Sequence, residues 1–313
     1  MQVISFGFSV DAGNAHVSTA DLFRSMRDQN GVEDTTKSTA RRFYIDDQSD
    51  PDFVLGLVVT VKDQRKFCEL VDAQGAFKFK VNNLTGTNKL MEFNFFVINK
   101  KNGLGIYQYY HHSCSPGTFG SYLRTRYRAL SEESRDQMIA NLHAKGQHSR
   151  KAETAVRSQH RQGLSFGLLT RNDAIADVLN AYKSIRGFDY EYVNLDPVAR
   201  VAQPLQGLVT KVKERVSFDS NIDKNVIAAG IAGMLGQVKD RSARVHVVDD
   251  DDTPLSVRVA NIPENFGEQE YDDIAAALDD LDVNIFSQHA IIQALLHTCK
   301  VDQEHIFMAE VEE

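Results

Sequence analysis

The three cysteines, Cys68, Cys114 and Cys299, are odd in number and far apart. That argues against a disulfide framework and for a reducing cytosol. No run of 18 apolar residues occurs, so the sequence offers no helical membrane span. Residues 1–10 lack a basic stretch and alternate like a strand, which does not read as a signal peptide. Catalytic signatures are missing as well: there is no Walker A sequence, GxSxG elbow, HExxH or evident nucleotide-binding fingerprint. These absences favour a cytoplasmic protein; they do not exclude an enzyme but lean away from one, and no cofactor is assigned.

What is present is ordinary in bulk and uneven in detail. The 313 residues suffice for one large or two ordinary domains, and 42% hydrophobic with 25% charged residues excludes wholesale disorder. Residues 1–163 hold 22 Lys/Arg against 17 Asp/Glu, whereas residues 164–313 hold 13 against 26. A basic half joined to an acidic half can meet a polyanion with one face and a partner or solvent with the other.

The stretch 106–163 organises the rest. It opens as a strand, turns at Ser115-Pro116-Gly117, and continues into a polar run rich in Arg, Lys and His. Between Arg124 and Arg161 there are nine Lys/Arg and four Asp/Glu, a local inversion of charge with tyrosines at its start. Basic residues interleaved with aromatics suit nucleic acid. The candidate contacts are Arg124, Arg126, Arg128, Lys145, Arg150, Lys151, Arg157 and Arg161, with a smaller group at Lys211, Lys213 and Arg215. Such residues grip phosphate without reading sequence. Arg124, Arg126 and Arg128 share one side if the segment is extended and spread through about 200° if it is helical. A plain solvated face, or a site for an acidic protein, would have the same composition.

Around this stretch the pattern predicts strands at 3–10, 41–45, 53–62, 66–71, 77–81, 90–99 and 105–111, with one early helix capped at Ser18. Residues 32–40 read as loop. Helices are expected at 118–129, 132–145 and 149–160, with Ser131 as a cap and Gly146 as a break, and none has a wide apolar stripe. Beyond them the pattern gives strands at 164–169 and 188–195, and helices at 172–185, 222–238, from 269, and at 283–299. A hairpin at 243–260 and a last strand at 305–311 complete the reading. The expected fold class is α+β. It comprises a β-rich domain with one early helix (1–128), a basic helical connector (129–163) and an acidic α+β domain (164–313).

Other constellations carry bland alternatives. The run Asp249–Asp252 could ligate a divalent cation and serve a nuclease, but four adjacent aspartates also make a solvated hairpin tip. Gly233-Met234-Leu235-Gly236 matches a GxxG backbone clamp, yet close helix packing through small residues is the simpler account. His111, His112 and Cys114, and His289, His297, Cys299 and His305, lack the paired spacing of a zinc site. No residue is assigned to a metal.

The order of elements resembles that of Rex A-type proteins of temperate-phage exclusion systems and, more distantly, Kiwa-type antiviral DNA-binding proteins. The matching pieces are Ser115-Pro116-Gly117-Thr118-Phe119-Gly120-Ser121-Tyr122-Leu123 and the charged hairpin 243–260, and the run 130–162 lies outside the match. The resemblance implies DNA binding beside a membrane-protein partner. The expectation is therefore a largely sequence-independent DNA-binding protein of a phage-defence or phage-exclusion system, acting as a homodimer that doubles the phosphate contacts. A metal-dependent nuclease and a protein–protein adaptor stand as alternatives.

Overall fold

Strand β4, Phe53–Lys62, is apolar almost throughout and buried over its first eight residues, as a strand covered on both faces must be. Its side chains alternate between two cores. Val54 and Val58 join one that includes Phe8, Phe96 and Phe119; Phe53, Leu55, Leu57 and Val59 join another that includes Phe95, Ile292 and Phe307. The computed structural model describes residues 1–309 except 15, 37–38, 63–65, 74–75, 85–89, 148, 172–174, 193–211, 220, 236–242, 249–251, 253, 261–264 and 280.

Along the chain, β1 (Gln2–Ala12) leads into α1 (Thr19–Arg27), followed by β2 (Glu33–Thr36), β3 (Thr39–Asp46) and β4. A separate hairpin, β5 (Lys66–Ala73) and β6 (Ala76–Asn83), precedes β7 (Leu90–Asn99) and β8 (Leu104–Tyr109). Helices α2 (Pro116–Ala144) and α3 (Arg150–Gln159) then cross to β9 (Leu164–Arg171), α4 (Ile175–Asn180), β10 (Ser184–Tyr192) and β11 (Val212–Ser217). Helix α5 (Lys224–Leu235), β12 (Arg244–Val248), β13 (Pro254–Ala260) and β14 (Glu268–Glu270) follow, then α6 (Tyr271–Ala277), α7 (Ala290–His297) and α8 (Glu304–Phe307).

Twelve of the strands form one sheet in the order β11-β10-β12-β13-β9-β1-β8-β7-β4-β3-β2, with β14 added beside β1. Every pairing is antiparallel except β13 with β9. The fold is thus α+β, with a strand-rich N-terminal region. Helices α1, α2, α4 and α5 supply the core on one face, and α6, α7 and α8 the core on the other. The sheet runs without a break across residue 164: Phe8 of β1 pairs with Leu168 of β9, and Leu164 and Phe166 share the core of Phe8.

Several elements differ from the sequence expectation. Residues 32–40 contain β2 and the first two residues of β3, which pair antiparallel from Glu33–Arg42 to Thr36–Thr39. The helix expected at 283–299 is broken at His289, which caps α7 by accepting the Ile291 N–H. A short 3-10 turn, 286–288, precedes it. Of the last strand expected at 305–311, residues 310–311 lie outside the described residues, and 305–307 belong instead to α8, where Phe307 is fully buried against Phe266 at 5.0 Å between centroids. The helix expected at 172–185 stops at Asn180, and β10 begins at Ser184. Helix α5 buries Ile227, Ala228, Ile231 and Leu235, while Ile222, expected inside the helix, lies before its first turn and, like Val226, is exposed.

Candidate nucleic-acid interface on α2 and α3

Where two helices were expected, 118–129 and 132–145, one 29-residue helix stands. Ser115 starts it by accepting the Thr118 N–H at 3.2 Å, and Pro116 fits the first turn because its missing donor would be unpaired there anyway. Gly146 ends it with a φ of +66°, and Gln147 N–H returns to the Leu142 carbonyl at 3.0 Å. Ser131 does not cap a second helix. It is buried inside α2 and its hydroxyl accepts a hydrogen bond from the Asn14 amide at 3.0 Å.

The first half of α2 is held tightly to the sheet. Phe119, Leu123 and Tyr127, four residues apart, are buried, and the Tyr127 hydroxyl donates to the Val17 carbonyl at 2.8 Å. Gly120 lets the helix approach β9, since a Cβ there would lie 2.5 Å from the Phe166 ring. Past Ser131 the helix leaves the core and is braced by α3. His143 meets Glu153 at 2.9 Å, and Ser134 meets His160, the cap residue after α3, at 3.3 Å.

Helical geometry sorts the arginines. At about 100° per residue, Arg128 lies about 40° and Arg135 about 20° around the axis from Arg124, whereas Arg126 lies on the opposite side. Arg126 is fully engaged there. It donates to the Tyr122 hydroxyl at 2.9 Å and to Gln29 at 2.6 Å, stands 3.6 Å from Asp34, and covers the Tyr122 ring at 5.1 Å. Tyr122 in turn stacks on Phe43 with centroids 3.7 Å apart. Arg126 is therefore a strut between α2 and the sheet.

The other side of α2 faces the segment that leads into β9, and the two enclose a cleft of about 430 Å³. Arg124, Arg128, Arg135 and Arg161 line it with Glu132 and His160, over the buried Tyr127, Ser131 and Leu164. Arg124 bonds to Ser121 at 3.1 Å, and Arg135 pairs with Asp136 at 2.8 Å, which holds that carboxyl below its usual range. Arg128 and Arg161 are exposed and form no ion pair among the described residues. His160 donates from Nδ1 to the Val156 carbonyl at 2.9 Å and stacks on His16 with centroids 5.1 Å apart. Arg135 was not among the sequence candidates. Its signal is the spacing 124, 128, 135, which appears only once the helix is continuous.

The remaining candidates are spread more widely. Lys145 is the C-terminal cap of α2, and Arg150, Lys151 and Arg157 are exposed on α3. Arg215 sits on the outermost strand β11, tied to Asp189 at 2.9 Å and His246 at 3.1 Å. Four strand spacings, roughly 19 Å, separate it from β9. Lys211 and the side chain of Lys213 fall outside the described residues.

The alternative sites gain little. Asp252 has a φ of +60° and pairs with Lys183 at 2.6 Å, while residues 249–251 are outside the described set. Among the described residues no three His, Cys, Asp or Glu side chains are grouped to hold a metal. Burial raises the Cys114 and Cys299 thiols above their ordinary range. Gly230 and Gly233 of α5 have no atom within 4 Å of an added Cβ, so they serve no close helix packing, and Gly236 is outside the described residues. A larger cavity, about 650 Å³, lies beside Arg27, Asn30 and Asp46, but Arg27 and Asn30 are already committed to other groups. Arg27 pairs with Asp47 at 2.7 Å, and Asn30 makes two bonds to the Ile45 backbone. No protein-family model matches the chain, and no match to it is found among curated proteins.

Proposed function

We propose that this protein binds DNA, largely without regard to sequence, through the exposed faces of α2 and α3, and acts by occupancy rather than catalysis. One observation carries the reading: three arginines of α2 share an arc of about 40° and meet Arg161 in a single cleft. Guanidinium groups pair with phosphate oxygens through parallel N–H donors, and such contacts are indifferent to the base. Arg124 to Arg135 spans about 16 Å along the helix axis. Lys145, Arg150, Lys151 and Arg157 extend the positive charge along α2 and α3. The setting in phage defence, with a membrane-protein partner, rests on the resemblance in element order, and two-fold pairing of the chain would double the phosphate contacts. Fluorescence anisotropy with two unrelated duplexes tests the reading. Both should bind alike, with affinity falling by roughly 0.9 log units per tenfold rise in salt for each phosphate contacted. No binding at low salt, or a flat salt response, refutes it.

A further inference from the structure

A continuous DNA backbone can lay its phosphates on the arginine rim of the α2–β9 cleft, but it leaves the space behind that rim empty. A basic face that only tracks a duplex needs a row of cations on an open surface. Here the four guanidiniums also border a concavity of about 430 Å³, lined on one side by the segment 160–164 and by the buried Tyr127 and Leu164. That is the size of a small-ligand pocket and far too small for a duplex. Only a protruding group can enter it.

The charge argues in the same direction. Four arginines face one lining carboxylate, Glu132, with Asp136 drawn to Arg135 from outside. A phosphodiester carries one negative charge and presents two free oxygens. A phosphomonoester carries about −1.5 to −2 near neutral pH and presents three. Guanidinium forks arriving from α2 and from Arg161 match the second better, because each fork can take a pair of oxygens.

We infer that this cleft takes a phosphomonoester dianion: the terminal phosphate of a nucleic-acid end or of a free nucleotide. The inference rests on the reading above for its arginines, but adds a ligand that an uninterrupted duplex does not possess.

The experiment uses the full chain and three DNAs of one sequence: a covalently closed circle, a linear duplex with 5′-hydroxyl ends, and the same duplex 5′-phosphorylated. Adenosine 5′-monophosphate, with adenosine as control, is titrated by calorimetry in parallel. Binding of the phosphorylated duplex tighter than the other two by about tenfold or more, lost in Arg128→Gln and Arg161→Gln, establishes the nucleic-acid end as the source. Equal binding of all three DNAs, with the monophosphate bound, adenosine not, and that binding lost in the same variants, establishes the free nucleotide. Equal DNA binding with no heat from the monophosphate overturns the inference. In that case salt-dependent binding of the circle leaves the DNA reading standing, whereas failure to bind the circle removes it too. Both substituted side chains are exposed and form no ion pair among the described residues, so the variants should melt with the wild type.

Discussion

The sorting of arginines around α2 predicts opposite outcomes for neighbours two residues apart. Replacing Arg128 with Gln removes an exposed guanidinium at the cleft, whereas replacing Arg126 removes one bound to Gln29, Tyr122 and Asp34. If each phosphate contact contributes about 0.9 to the log–log salt slope, losing Arg128 weakens binding at 0.1 M salt roughly 8-fold. The triple variant Arg124→Gln, Arg128→Gln, Arg135→Gln flattens the slope by at most about 2.7 and weakens binding by at most about 500-fold. Arg135 should contribute least of the three, because Asp136 competes for it at 2.8 Å. Arg126→Gln should leave slope and affinity within about twofold. It should lower stability by about 1–2 kcal/mol instead, through two lost hydrogen bonds and the uncovered Tyr122 ring. Anisotropy at four salt concentrations, beside urea unfolding, measures both quantities. Equal flattening of the slope by Arg126→Gln and Arg128→Gln would refute the helical sorting on which the site is built.

Three further outcomes are expected. Phe119, fully buried among the rings of Phe8, Phe43, Phe96, Tyr107 and Phe166, should cost about 3–5 kcal/mol as Phe119→Ala in urea unfolding, and a loss under 1 kcal/mol would mean that the cluster closes up. Gly103 and Gly146 share a φ of +66°, but a Cβ on Gly103 would lie 1.9 Å from the Val10 carbonyl oxygen while one on Gly146 meets nothing. Gly146→Ala should therefore cost only the backbone term, about 1–2 kcal/mol, and Gly103→Ala considerably more; equal melting temperatures would refute this. For Asp46, burial raises the carboxyl, but hydrogen bonds from Ser287 and Ser49 outweigh it and bring the group from 3.8 down to about 2. The stabilisation is thus present above about pH 4 and lost as pH falls towards 2, so Asp46→Asn should flatten that part of the acid-unfolding curve.

Much of the sheet was legible because period-two patterning and turn residues are local. The strand expected at 53–62 is β4 residue for residue, 90–99 is β7, and the Ser18 cap forms with Asp21 as the reciprocal partner. The site was less legible for a specific reason. Ser131-Glu132-Glu133 has the composition of a helix start, and only a long-range partner, Asn14, decides that Ser131 lies mid-helix. Cutting the helix there hid Arg135. The end of the chain misled for a similar reason. Ile306-Phe307-Met308 is a short apolar run that suits a strand as well as a helix, yet Phe307 is buried against Phe266 in a helical turn. Tertiary contacts outweigh local propensity at both places.

Strand β1 carries a consequence for how the chain is made. Its first eleven or so residues pair on one side with β8, about 100 residues away, and on the other with β9 at Phe8–Leu168 and with β14 at Gln2–Glu270. Because β1 precedes all three partners in the chain, it must wait for strands synthesised later, at roughly 5–20 residues per second. Until residue 168 has emerged, one edge of β1 remains open next to the apolar Phe8 and Val10. Loop closure over such separations slows folding and leaves an edge on which other nascent chains can pair. Expression at lower temperature or with chaperone support should then raise the soluble yield more than any change confined to the surface.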